Sequence, residues 1–177
     1  MNSEDILKTY QKRAMETCLP TSKNIKYFVA GISSETFELL AKIYGGYAKE
    51  IRGDGKTPEE IAKQIKGELG DVAWFLALAC ELFAENFESH IRAALKDKNK
   101  LKTDFDCGEI PLDVREFFKT YNATNRLAIY PIAGIARFIV VVCKIYGLEI
   151  EDVLQFNLDK LAKRRAENKI CGDGDNR

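Results

Sequence analysis

Histidine is almost missing from this chain: His90 is the single one, so the Glu-x-x-His pairs of a ferritin-like di-iron centre cannot be built. The five cysteines, Cys18, Cys80, Cys107, Cys143 and Cys171, are odd in number and widely spaced, with no C-x-x-C pair. Neither a disulfide framework nor a zinc site is indicated, and a reducing cytoplasm is the expected setting. Long hydrophobic runs are lacking too. The longest, such as Val72 to Cys80, fall far short of the ~18 residues of a membrane span, and the opening MNSEDILKTYQKR has no apolar signal core, so no membrane partner is expected. Charge of one sign is absent: Lys plus Arg and Asp plus Glu both number 27, which removes the electrostatic reason to expect nucleic acid as a partner. What is present is 177 residues, 46% hydrophobic and 31% charged, the composition of one globular domain spanning residues 1–177.

Apolar residues recur at helical spacing nearly throughout, and no segment sustains a period of two, so the expected class is all-α. A first helix is expected from Glu4 to Cys18, with Ile6, Leu7, Tyr10, Ala14 and Met15 on one side and Pro20 closing it. A second should start at Ser33 or Ser34, either of which can cap it, and stop at Gly53-Asp54-Gly55. Thr57-Pro58-Glu59-Glu60 is a capping box with proline at the first helical position, and the pattern then runs through GELGDVAWFLALACELF. After Glu85 the chain is less regular. Leu95 to Gly108 reads as a polar surface loop and Leu112 to Tyr121 as a short helix, so residues 85–125 are treated as an insertion. Helical pattern resumes from Asn125 to Tyr146, with Pro131 in its first turns and Gly147 ending it, and again from Glu151 to Asn168. The tail 169–177, rich in Gly and Asp, is expected to be mobile.

Two acidic pairs carry the chemistry. Glu35 and Glu38 are three apart on the second helix, Glu68 and Asp71 three apart on the third, and that spacing puts each pair on one helical face. Such pairs are common on solvated helices. Here each sits among apolar neighbours, Phe37, Leu39 and Leu40 for the first, Leu69, Val72, Trp74 and Phe75 for the second. Carboxylates brought together between packed helices repel one another and lose solvation, so they need protons or cations. Oxygen-only ligands favour Mg²⁺ or Mn²⁺, ions suited to phosphoryl or nucleotidyl transfer.

The segment GISSETFELLAKIYG resembles the GLAGEAGELL-type stretch of MazG-like nucleoside triphosphate pyrophosphohydrolases, and KGELGDVAWFLALAC is similar to their K-x-E-L-G-D-V-L-W-Y-L-A helix. Their E-x-x-E and E-x-x-D signature falls on Glu35, Glu38, Glu68 and Asp71. YQKRAMET, GLEIEDVLQFNLDKLAKRR and the terminal GDGDNR extend the likeness over most of the chain outside the insertion. The resemblance implies a four-helix-bundle-like core of the all-α NTP pyrophosphatase type, working as a homodimer or homotetramer. It also implies Mg²⁺-dependent cleavage of nucleoside or deoxynucleoside triphosphates to the monophosphate and pyrophosphate, a house-cleaning or pool-adjusting activity. The four acids would ligate the metal, a metal-bound water would attack the α-phosphorus, and Glu35 is our choice of base. The gap between the acid pairs is long for the family, and a long stretch separates the second pair from GLEIEDVLQ.

Further candidates follow from helical geometry. Asn157, Lys160 and Arg164 share a face of the last helix that could grip phosphate oxygens, or the basic residues there simply complement the helix C-terminus. Lys42 and Lys66 lie close to the acids in sequence and could offset their charge or touch phosphate. Trp74 could stack on a base or belong to the core, and Phe75 stands where the family often has tyrosine, which removes a hydroxyl. His90 is read as a surface residue. Two other functions compete with this reading: phosphoribosyl-ATP pyrophosphohydrolase-like activity, and a non-catalytic helical protein that binds nucleotide or a partner.

Overall fold

The structure, a computed structural model, describes residues 5–52, 57–97 and 129–167, with the backbone alone for 46–52, 97 and 129–131. Among the described residues the chain is all α-helical and has no strand, as the hydrophobic periodicity requires. Six helices are present there: α1 Ile6–Met15, α2 Ile25–Arg52, α3 Pro58–Leu82, α4 Phe87–Asp97, α5 Ile129–Tyr146 and α6 Ile150–Ala166, with a short 3₁₀ turn at Pro20–Ser22. The expected Gly53-Asp54-Gly55 stop, the Leu112–Tyr121 helix, residues 98–108 of the expected loop, the 169–177 tail, Cys107 and Cys171 lie outside the described residues.

Most helix ends follow from local chemistry. Asp5 caps α1 by accepting from the Leu7 N–H at 3.2 Å. Thr57 and Glu60 form the reciprocal capping box that starts α3, with Pro58 just inside it. Gly147 takes φ 62°, and the Leu148 N–H returns to the Cys143 carbonyl at 2.8 Å, so the left-handed residue that ends α5 is the one that tolerates that region best. Ala84 takes the same role after α3 at φ 54°, with Glu85 N–H bonded to the Cys80 carbonyl at 2.8 Å.

Two helices differ from expectation. α2 starts at Ile25, a full eight residues before Ser33, because Asn24 caps it through Oδ1 and the Tyr27 N–H at 2.9 Å. Ser33 lies inside the helix instead, its hydroxyl donating back to the Val29 carbonyl at 2.8 Å. Residues 87–97, assigned to the irregular insertion, are a regular helix that Asn86 caps through the Ser89 N–H at 2.8 Å. That helix buries Phe87, Ile91 and Ala94, which recur on one face, and it packs on α5 and α1. Burial of a phenylalanine or isoleucine side chain contributes about 1.5–3 kcal/mol, enough to recruit this segment into the core.

α3 is the hub. It touches each of the other five helices, and Val72, Ala73 and the whole of Phe75 to Cys80 are buried, as expected for a helical stretch that is apolar all round. α2 runs antiparallel to α3, which is its main neighbour, while α1 and α6 flank α3 on another side. At 28 residues α2 is about 42 Å long; the side of it turned from α3 leaves Phe37 and Tyr44 exposed, while Tyr27, also exposed, meets Trp74 and Phe75 of α3. None of the helices in the described residues is long and apolar enough to cross a membrane. Cys18, Cys80 and Cys143 are buried free thiols, and burial pushes Cys80 and Cys143 up to about 12.

Candidate metal centre

The antiparallel contact of α2 with α3 puts Glu35 opposite Glu68 and Asp71, the latter two one turn apart on α3. Each of the three offers a carboxylate oxygen, and these oxygens lie within 4.8 Å of one another. Glu68 is buried, Glu35 and Asp71 half-buried. α6 closes the third side. Lys160 places its ammonium on Oδ2 of Asp71, and Asn157 donates from Nδ2 to Oδ1 of the same carboxylate at 3.1 Å. Lys42, from α2, lies with Nζ 3.5 Å from Oε1 of Glu68.

This close approach depends on two glycines. A Cβ on Gly70 would stand 2.9 Å from Cβ of Asn157, so the bare backbone at 70 is what lets α6 reach Asp71. A Cβ on Gly31 would stand 2.0 Å from Cζ of Phe75, so α2 seats on that ring one turn before Glu35.

The cluster is not electrically uniform. Asp71 receives one neutral and one cationic donor, an arrangement suited to a charged carboxylate. Glu35 has no such donors in the described geometry: burial above all, then the charges of Asp71, Glu38 and Glu68, lift it from an ordinary 4.5 to about 8, against an opposing pull from Lys160. Burial and the neighbouring acids thus favour the protonated form of Glu35 well above the usual carboxylate range.

Among the expected ligands, Glu38 stands apart. Its side chain is exposed, and Oε1 accepts from the Ser34 hydroxyl at 3.1 Å. Asn157 is fully buried between Asp71 and Tyr10, so its amide is committed to protein partners and not held out for phosphate. Arg164 is half-buried one turn beyond Lys160. Trp74 turns toward α1: its indole N–H donates to the Ala14 carbonyl at 3.2 Å and lies 3.1 Å from Oγ1 of Thr17, while its ring meets Phe75 edge-on at 4.9 Å. Lys66 lies over the Phe156 ring at 5.6 Å. His90 pairs with Glu85 at 3.1 Å and its side chain is only 12% exposed, so it is no surface residue.

Sequence reasoning placed Tyr10 on the apolar face of the first helix and went no further. Its hydroxyl in fact donates to Oδ1 of Asn157 at 2.8 Å, and a tyrosine on a buried face signals such a need, because its O–H must find a partner.

Three carboxylate oxygens at this separation fit a hard divalent cation, and Lys42 with Lys160 leave the acid set, Glu38 included, with an excess of negative charge. Compared with known proteins, the chain matches no protein-family model, no curated protein and no solved structure.

Proposed function

We propose that this protein is a Mg²⁺-dependent pyrophosphohydrolase of nucleoside or deoxynucleoside triphosphates, releasing the monophosphate and pyrophosphate, with Mn²⁺ as an alternative ion. The single observation that supports the reading is the meeting of Glu35, Glu68 and Asp71, with Lys160 and Lys42 beside them. The likeness of both acid segments to MazG-like enzymes supplies the reaction type.

Glu35, Glu68 and Asp71 would hold the cation, with Glu38 able to join by turning its exposed carboxylate. When bound, a divalent ion supplies charge neutralisation for a triphosphate and makes water more acidic at neutral pH. Glu35 is the proton acceptor of this scheme. Its carboxyl is lifted to about 8 by burial and the neighbouring acids, and cation binding would free it of its proton for general-base work. Lys160, Lys42 and Arg164 are cations at the rim that can draw phosphate oxygens. Trp74 serves the site as a packed wall, its N–H already taken up by α1.

A homodimer or homotetramer in a reducing cytoplasm completes the proposal. Phe37, 63% exposed, and Tyr44, 45% exposed, lie two turns apart on the uncovered side of α2, which supports burial against a second copy. Phe37→Asp should then lower the mass measured by light scattering to that of the monomer.

A pyrophosphate-release assay over the eight common nucleotides and phosphoribosyl-ATP, with Mg²⁺, tests the activity. Release from one or more supports it. Release from phosphoribosyl-ATP alone would move the reading to that neighbouring activity, and nucleotide binding without release would make the protein a non-catalytic binder.

A further inference from the structure

Asn157 offers two chemically opposite ends, and only one suits Asp71. A carboxylate accepts hydrogen bonds, so the amide must turn Nδ2 toward it, at 3.1 Å. That leaves Oδ1 facing the interior in a side chain with 0% exposure, where an unmatched carbonyl oxygen is costly. The partner is Tyr10, 147 residues away in sequence, whose hydroxyl donates at 2.8 Å. Tyr10 is itself 0% exposed, its ring tilted against Phe87 at 4.9 Å between centroids, so it can neither swing away nor be replaced by bulk water. Burial first, and the charge of Asp71 second, push the phenol well above its ordinary value, so it stays a donor.

We infer that Tyr10 is a positioning residue for the acidic cluster: its hydroxyl locks the Asn157 amide with the NH₂ end toward Asp71 and thereby sets the cluster's affinity for a divalent cation. The inference rests on the reading of Glu35, Glu68 and Asp71 as a cation site. Without the hydroxyl Oδ1 is left buried without this donor, which weakens the hold on the orientation that serves Asp71; a turned amide would aim a carbonyl oxygen at that carboxylate and push it off the shared position. Partners that orient ligands change metal affinity by about 10–100-fold in general.

Gln11 provides the control on the same helix. It holds α1 to the α3–α4 turn, with Nε2 donating to the Glu85 carbonyl at 3.4 Å and Oε1 accepting from the Phe87 N–H at 3.0 Å. Loosening it disturbs α1 without removing the Tyr10 hydroxyl.

The experiment is a Mn²⁺ titration of the full chain, followed by the electron paramagnetic resonance signal of free Mn²⁺, on the parent and on Tyr10→Phe, Gln11→Ala and Asn157→Ala. Circular dichroism checks folding. Tyr10→Phe keeps the ring packing and is expected to bind Mn²⁺ about tenfold more weakly. Asn157→Ala should be at least as weak, and Gln11→Ala should match the parent. Parental affinity in Tyr10→Phe overturns the inference, as does an equal loss in Gln11→Ala, which would mean general loosening of α1. If Tyr10→Phe does not fold, parental affinity in Asn157→Ala overturns it instead. A parent that binds no Mn²⁺ removes the cation site and this inference with it, an outcome told apart by the parent's own titration.

Discussion

Nζ of Lys42 lies 3.5 Å from Oε1 of Glu68, joining α2 to α3 through a carboxylate whose side chain is only 7% exposed. A buried carboxylate that loses a cationic neighbour keeps its desolvation cost and loses part of the compensation. Lys42 is 39% exposed, so solvent already screens much of the attraction. Lys42→Met is therefore expected to cost about 1–2 kcal/mol of stability, well under the figure for a fully buried pair. Urea unfolding with and without saturating Mg²⁺ measures it. A cation beside Glu68 takes over the role of the ammonium, so the gap between variant and parent should narrow in Mg²⁺. An unchanged gap would place the ion elsewhere.

Glu35 makes stability depend on pH with a definite sign. Its carboxyl is lifted to about 8 in the folded chain from an ordinary 4.5, burial being the main cause and the neighbouring acids next. Between those values the native state binds the extra proton, so this contribution is complete below the unfolded value and is lost as pH rises through about 8. Glu35→Gln should flatten the stability profile across that window and leave the variant more stable than the parent at its alkaline end. The same linkage predicts proton release. Adding Mg²⁺ to the parent in weak buffer at neutral pH should liberate up to about one proton per chain, and Glu35→Gln should liberate fewer. Equal release from both would show that Glu35 is not the proton carrier of the site.

Much of this was legible before any coordinates. The α3 capping box is written in Thr57-Pro58-Glu59-Glu60, and the acid spacing foretold that Glu68 and Asp71 share a face. The start of α2 was not legible, because Ser33 and Ser34 imitate a cap while the true cap, Asn24, stands beside a proline turn that reads as loop. α4 was hidden for a different reason. Its apolar residues Phe87, Ile91 and Ala94 have helical spacing, but the polar residues between them dilute the pattern, and it is the packing on α5 and α1 that gives that face something to cover. Within the site, spacing treats Glu35 and Glu38 as equals. Burial separates them, and burial depends on which face of α2 meets α3, a tertiary matter. The Tyr10–Asn157 bond joins opposite ends of the chain, so no local pattern could have announced it.

That separation of the acids can be measured. Asp71 sits inside the cluster with Asn157 and Lys160 on it, while Glu38 is exposed and hydrogen-bonded to Ser34. Asp71→Asn removes a clustered oxygen charge and should reduce kcat/KM for the best nucleotide by roughly 100-fold or more, with folding retained. Glu38→Gln should cost about tenfold or less, through a rise in the Mg²⁺ concentration needed for half-maximal rate. Equal losses in the two variants would mean that Glu38 turns inward and is a full ligand during turnover.

Gly31 supplies a prediction in which two opposing effects can be weighed. Alanine is the better helix former by about 1 kcal/mol, so on propensity alone Gly31→Ala, inside α2, should stabilise. Its Cβ, however, would stand 2.0 Å from Cζ and 2.1 Å from Cε1 of Phe75. That ring is buried and wedged between Tyr27, with centroids 5.8 Å apart, and Trp74, at 4.9 Å, so it cannot yield without moving its neighbours. Overpacking of this kind costs about 1–3 kcal/mol, and a contact this short belongs at the upper end, so the steric effect wins by about 1–2 kcal/mol. The strain should also reach the site, because Glu35 lies one turn along α2 from Gly31 and Asp71 one turn along α3 from Phe75. Thermal unfolding and Mg²⁺-dependent proton release should both decline in Gly31→Ala, and Phe75→Leu added to it should restore part of each by making room. A Gly31→Ala chain more stable than the parent would mean that α2 does not seat on Phe75, and the distance between Glu35 and the α3 acids would lose its support.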